Sequence, residues 1–262
     1  MIYYGNWVSV GLIAKSLLCC IVFGLLTILA CLSFPSLHVF ALIFVILFTV
    51  LSIFFLVCFI YFITARHLFS YGGAGVQNTI LELLISRISW DGKVSALDIG
   101  CGNGALTIKL AQKFKDATVT GIDYWGGSWG YSQKQCKANA AACEVGERTS
   151  FLKASAALLP FEDESFDLAV SNLVFHEVRD SKNKRDVLKE ALRVVKKGGC
   201  FAFQDLFLIE QYYGSIDDLL ASLKELGIKD IAFADTSKSP LIPKALKLPF
   251  MVGAMGILYG VK

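Results

Sequence analysis

Residues 1–81 contain no aspartate and no glutamate, and Lys15 and Arg66 are their only strong cations. A segment so poor in charge does not read as the surface of an ordinary soluble domain. The eight cysteines include no C-x-x-C pair and no Cys/His spacing suited to a metal. That argues against a disulfide framework and against a zinc site, and fits reduced thiols facing cytosol. Four of them, Cys19, Cys20, Cys31 and Cys58, lie in apolar runs where cysteine is a small hydrophobe. No lysine and arginine cluster is dense enough to track phosphates, so the net charge of +3 does not argue for a nucleic-acid partner. A signal peptide is disfavoured, because Lys15 stands far from the start and no convincing small-x-small cleavage site follows the first apolar run. Ile28-Leu-Ala-Cys31 is only faintly lipobox-like.

What is present is hydrophobic: 55% of the 262 residues, with a mean hydropathy of +0.58. Ser16–Phe34 and Val39–Thr64 run for 19 and 26 residues without a charge, and Pro35-Ser-Leu-His38 separates them. Each is long enough to span a bilayer. The reading is a two-helix transmembrane hairpin over about 16–34 and 39–64 within an anchor of residues 1–67. A buried core hairpin is the duller alternative. Lys15 and Arg66 flank the open end, so the positive-inside rule places both termini and everything after the hairpin on the cytosolic side. Residues 68–90 read as a linker. Tyr71-Gly-Gly-Ala-Gly75 is a flexible joint, and Val76–Ile88 a helix that packs on the following domain, with a membrane-surface helix as the alternative.

Residues 91–262 alternate between strand and helix patterns, which predicts an α/β, doubly wound, Rossmann-like sheet of seven strands. Strands are expected near 94–99, 117–122, 149–154, 166–172, 200–206, 228–235 and 253–261, the last of them antiparallel. Helices are expected near 105–114, 131–144, 183–196 and 216–226. Ser215 with Asp218 forms a capping box and Gly227 closes that helix. Lys196-Lys-Gly-Gly199 reads as a helix stop.

Val94-Ser-Ala-Leu-Asp-Ile-Gly-Cys-Gly-Asn-Gly104 carries the chemistry. An apolar strand runs into Gly100, Gly102 and Gly104, which admit positive φ and let a ligand approach the backbone. A helix beginning near Ala105 turns its free N–H groups into that turn. Gly100-x-Gly-x-x-Ala105 fits the dinucleotide fingerprint only loosely. Asp98 would repel a diphosphate and suits a cationic amine instead. Asp123 ends the second strand, where a carboxylate can bridge two ribose hydroxyls, and Tyr124 offers a face for a purine.

Five segments in order resemble the motifs of class I S-adenosylmethionine-dependent methyltransferases of the broad type-11 group. They are Leu97-Asp-Ile-Gly-Cys-Gly-Asn-Gly104, the strand end at Asp123, Leu159-Pro-Phe-Glu-Asp-Glu-Ser-Phe-Asp167, Ser171-Asn-Leu-Val-Phe-His-Glu177 and Leu192-Arg-Val-Val-Lys-Lys-Gly-Gly199. The likeness covers roughly residues 75–262 and leaves out the hairpin. It implies S-adenosyl-L-methionine as cofactor, with Gly100 and Gly102 close to its methionine part, Gly104 in the same cofactor-binding turn, and Asp98 near the amine. It further implies Asp123 on the ribose diol, Tyr124 beside the adenine, and Asn172 lining the pocket near the methyl. Where such proteins usually carry an acidic residue for the adenine amino group, this chain has Ser155, which accepts one hydrogen bond while the backbone of Ala156 reads the ring.

Methyl transfer is a displacement that needs placement first and a base only for a protonated acceptor. His176 is the one candidate base for neutral pH, the alternative being that it caps or packs. Glu177 reads as structural. In Tyr124-Trp-Gly-Gly-Ser-Trp-Gly-Tyr131, Trp125 and Trp129 either wall a substrate or membrane contact or pack over the adenine. Cys101 reads as filler rather than nucleophile. The functional expectation is a membrane-anchored methyltransferase acting on a lipid-like or small-molecule acceptor, without metal. Its rivals are a catalytically idle cofactor-binding module that serves as a membrane interaction protein, and aminopropyl transfer on the same fold, disfavoured because no acidic cluster suits a polyamine.

Overall fold

The computed structural model describes residues 2–33, 38–71, 74–126, 130–228 and 230–262. These fall into two compact units, one spanning Asn6–Val76 and the other joining the residues up to Gly5 with Gln77–Lys262. Pro35, Ser36 and Leu37 of the expected hairpin turn lie outside the described residues, as do Gly72 and Gly73 of the expected joint.

The Asn6–Val76 unit holds two helices, α1 (Val10–Ser33) and α2 (His38–Phe69). Ser9 opens α1 by accepting from Leu12 N at 3.1 Å, so the helix starts six residues before the predicted span and takes in Lys15. Val10–Leu32 and Leu42–Phe69 have hydropathies of 2.5 and 3.2, and 6% and 0% of their most apolar windows are buried. At 1.5 Å per residue each exceeds the roughly 30 Å of a hydrocarbon core. By length and composition, both can cross a membrane. Small and aromatic residues join them: Ser52 Oγ donates to Cys20 O at 3.0 Å, and the Phe23 and Phe55 rings stack 5.7 Å apart. At the open end Asn6 Nδ2 donates to Arg66 O at 2.9 Å, and the Arg66 guanidinium donates to Val8 O.

The second unit contains a seven-stranded sheet of order β3-β2-β1-β4-β5-β7-β6. Its strands are β1 (Val94–Ile99), β2 (Ala117–Asp123), β3 (Thr149–Lys153), β4 (Phe166–Asn172), β5 (Val195–Asp205), β6 (Asp230–Asp235) and β7 (Gly256–Val261). β1 through β5 pair in parallel, and β7 runs antiparallel between β5 and β6. The helices are α3 (Val76–Ile85), α4 (Ala105–Lys113), α5 (Gln133–Ala142), α6 (Lys184–Arg193), the single turn α7 (Glu210–Tyr213) and α8 (Ile216–Glu225). Because successive side chains of a strand point to opposite faces, the parallel strands bury both. Leu97, Ile99, Phe201 and Phe203 share one core with Leu188 and Leu192 of α6. Ala96, Val119, Leu168 and Val170 share the other with Leu81 and Leu84 of α3 and Ile108 and Leu110 of α4. Each large side chain so buried contributes about 1.5–3 kcal/mol.

α8 has the expected cap, Ser215 Oγ accepting from Asp218 N at 3.2 Å. Lys196–Gly199 differs from expectation: α6 ends at Arg193, and the Gly-Gly pair forms a bulge inside β5, where pairing shifts from Phe166↔Val195 to Leu168↔Cys200. A Cβ at Gly199 would stand 2.9 Å from Lys196 O. Backbone crowding, not helix termination, is what requires that glycine.

Candidate cofactor site and base

In an open α/β sheet, ligands bind beyond the carboxyl ends of the strands where the order reverses. Here that point lies between β1 and β4, and the glycine turn after β1 occupies it. Gly100, Gly102 and Gly104 take φ values of +76°, +58° and +84°. A Cβ at Gly100 would fall 2.1 Å from Val174 Cγ2, so this glycine is required by the turn after β4 as much as by its own φ.

Asp123 holds the glycine turn. Gly102 N donates to its Oδ2 at 2.9 Å and Trp125 N to its Oδ1 at 2.8 Å. Burial raises its pKa and those N–H donors lower it, with burial prevailing. Asp98 is 1% exposed and accepts from Thr107 Oγ1 at 2.6 Å. Burial pushes its carboxyl up to about 7, which Thr107 offsets only in part. Two buried amide atoms have no hydrogen-bond partner among the described residues: Asn103 Nδ2 within the turn and Asn172 Oδ1 at the tip of β4. Such orphan atoms cost about 1–3 kcal/mol each, so they mark places where a polar ligand fits.

Trp125 has φ +38° and is 8% exposed. Its indole Nε1 donates to Gly102 O at 2.8 Å, which fixes the ring against the glycine turn. Trp129 lies outside the described residues. Tyr124 is 67% exposed, with Lys153 Nζ 5.3 Å from its ring centre. Ala156 is buried. Ser155 Oγ donates to Asp180 Oδ2 at 2.9 Å, so a carboxylate from the segment after β4 stands at the position where an acidic side chain is absent. Burial, together with Cys136, pushes the Cys101 thiol well up, and such a thiol is inert.

His176 sits on a short turn after β4. Its Nδ1 meets Asp205 Oδ1 at 2.6 Å. Asp205 ends β5, is fully buried, and also accepts from Phe175 N at 2.7 Å and Val174 N at 3.1 Å. A carboxylate fixed this way holds the proton on Nδ1 and leaves Nε2 as the acceptor. Burial disfavours charge on the ring, but Asp205 and Glu177 outweigh it, so the His176 pKa stands above the ordinary value.

Asp205 went unremarked in the sequence; its one signal is an acid ending a strand of buried residues. Asn139 was equally unmarked. It is fully buried in α5, donates to Asn103 O at 2.9 Å and Tyr3 O at 2.8 Å, and accepts from Tyr3 N at 2.9 Å. Tyr3–Gly5 thereby pack beside the glycine turn, with Tyr131 near both Gly5 and Gly102.

Residues 97–203 match the family described as a methyltransferase domain. The chain is 32% identical over 164 residues to 27-O-demethylrifamycin SV methyltransferase of Amycolatopsis mediterranei (strain S699), covering 54% of this chain and 56% of that protein. It is 32% identical over 107 residues to demethylmenaquinone methyltransferase of Roseiflexus castenholzii (strain DSM 13941 / HLO8), covering 41% and 40%. The chain thus spans about half the length of these relatives. Among solved structures, geranyl diphosphate C-methyltransferase of Streptomyces coelicolor A3(2) superposes with a TM-score of 0.54 at 13% identity, covering 76% of this chain and 82% of that one. The 4+2 cyclase SpnF also gives 0.54, at 20% identity, covering 71% and 81%. At these identities the two structures establish a shared fold and nothing about substrate.

Proposed function

We propose that this chain, whose residues 97–203 form an S-adenosylmethionine-dependent methyltransferase domain, is a membrane-anchored enzyme that methylates a small-molecule or lipid-like acceptor on the cytosolic face. The observation that carries the catalytic part is the His176–Asp205 pair, on a turn whose Val174 packs against Gly100.

The cofactor, when bound, supplies an electrophilic methyl on a sulfonium. The chain's residues fit it: Asp98 suits the amine, Asn172 Oδ1 and Asn103 Nδ2 are unspent polar groups, and Gly100, Gly102 and Gly104 remove side chains from the path. Asp123, with both oxygens receiving backbone N–H groups, retains lone pairs for hydroxyl donors. Tyr124, Ser155 and Ala156 form the adenine side, with Asp180 lending its charge to Ser155. His176 Nε2 takes a proton from the acceptor heteroatom, and Asp205 stabilises the resulting imidazolium. Trp125 supports the glycine turn through its indole N–H.

Two helices of spanning length support the anchoring, and Lys15 and Arg66 at the open end support the cytosolic orientation. The relatives' own substrates, a rifamycin and a demethylmenaquinone by their names, favour an apolar acceptor. The test is incubation of the full chain in vesicles with methyl-labelled cofactor and separated lipid and water-soluble fractions. Label transferred to a lipid fraction supports the reading. Cofactor binding with no transfer to any fraction overturns it in favour of an idle binding module.

A further inference from the structure

We infer that the segment linking β6 to β7 is a second membrane contact, a preformed docking loop for an anionic lipid surface. The inference rests on the anchoring proposed above.

From Thr236 to Lys262 the chain has no acidic residue and four lysines. Three of them fall in the linking segment. Lys238 reaches back to Asp235 at 3.0 Å, Lys244 is exposed, and Lys247 donates to Ser239 O at 2.8 Å. Between and beside them three large apolar side chains face outward: Leu241, Leu248 and Phe250 are 60%, 37% and 66% exposed.

These side chains are not displayed by a slack loop. Ile242, Leu246 and Val252 alternate with them and are at most 3% exposed, so the segment is keyed into the domain. Its backbone closes on itself, Met251 N and Gly253 N both bonding Leu248 O, at 2.9 and 3.0 Å. A Cβ at Gly253 would stand 2.3 Å from Lys247 O. The outward residues are therefore held in place before any partner arrives, and little ordering entropy is lost on contact.

An outward apolar ridge flanked by lysines fits the interface of a bilayer, where apolar groups enter the headgroup boundary and cations meet anionic lipid. A second copy of the chain would bring Lys244 and Lys247, for which the segment from Thr236 on offers no acid, face to face with their own kind. Position adds a further argument. Asp235 and Gly256, which bracket the segment, pair with one another, and Gly256 also pairs with Asp205. The loop thus leaves the sheet at the end where Asp205 holds His176. Docking there brings the mouth of the site to the lipid, and the acceptor class it serves is a molecule dissolved in the membrane.

The test uses the full chain in vesicles of phosphatidylcholine alone and of equal phosphatidylcholine and phosphatidylserine. Flotation reports the anchor; hydrogen exchange of residues 240–251 reports the loop. The expected result is exchange about tenfold slower on the phosphatidylserine vesicles, a difference of about 1.4 kcal/mol. Lys244→Glu should abolish this difference, and so should Leu241→Ser with Phe250→Ser, while every variant still floats. Equal exchange in both vesicles by a floating chain overturns the docking loop and leaves the anchor standing. Slowing that appears in detergent and grows with protein concentration assigns the ridge to a second copy and also overturns it. A chain that floats with neither vesicle overturns both readings.

Discussion

The two units treat their side-chain polar groups in opposite ways. In the helices of Asn6–Val76, hydroxyls close on nearby backbone: Ser16 on Leu12 O at 3.0 Å, Thr27 on Phe23 O at 2.9 Å, Thr64 on Ile60 O at 2.9 Å. Ser52 does the same across to Cys20. A segment surrounded by hydrocarbon has to settle its hydrogen bonds internally. In the second unit the opposite holds around the glycine turn. Among the described residues, Asn103 Nδ2, Asn172 Oδ1 and, on the neighbouring strand, Gln204 Oε1 are buried and unspent, and Asp98 is buried with no cation paired to it. The hydroxyls named in the first region are spent on its own backbone; the second keeps, among the described residues, unspent polar groups where a polar ligand fits.

The sharpest break in that contrast comes from His176. His176→Ala should lower turnover by about 10²–10⁴ and leave cofactor affinity unchanged, as read by kcat beside calorimetric Kd. Because its pKa is raised, wild-type turnover should climb with pH through a value above that of free histidine, and the alanine variant should lose that limb. Next, Asp123→Ala removes the acceptor of Gly102 N and Trp125 N. Cofactor binding by the full chain should weaken by about 2–3 kcal/mol, roughly 30- to 150-fold. Unchanged affinity would remove Asp123 from the site.

Gly100→Ala forces a methyl into Val174 at a positive φ and should lower stability by about 1–3 kcal/mol, visible as a lower Tm. Asp98 gives a smaller and more specific signal. Its carboxyl titrates near 7 when folded against an ordinary 3.8. Its contribution to stability is therefore fully present below the lower value and lost as pH rises through the upper one. A bound cationic amine pulls that pKa down, so binding at pH 7 should release about half a proton. Calorimetry in buffers of different ionisation enthalpy measures the release, and Asp98→Asn should abolish it. The smallest effect belongs to the hairpin, where Ser52→Ala should cost only about 0.6 kcal/mol and leave cofactor binding untouched.

Much of this was legible because it is local. The alternation of strands with amphipathic helices, the glycines two apart and the acid ending β2 are short-range patterns, and the structure places them in a seven-stranded sheet with the glycine turn where the order reverses between β1 and β4. Helix ends were less so: α1 begins earlier than its charge-free run because Ser9 caps it and Lys15 is tolerated near the end of a helix, where its stem reaches water. The Gly-Gly of β5 looked like a helix stop, since a bulge and a stop call for the same residue. Asp205 and Asn139 could not be singled out, because their meaning lies in partners 29 and 136 residues away. A lone acid or amide carries no trace of such a partner.

That last separation also sets a schedule. Tyr3 leaves the ribosome long before Asn139, with both apolar helices in between. At 5–20 residues per second, the leading segment waits roughly ten seconds for the side chain that receives it. The shelf beside the glycine turn is thus finished late, by a part of the chain made before the hairpin. A fragment cut to begin after the hairpin never acquires that piece, and keeps a buried amide with two of its bonds unmade.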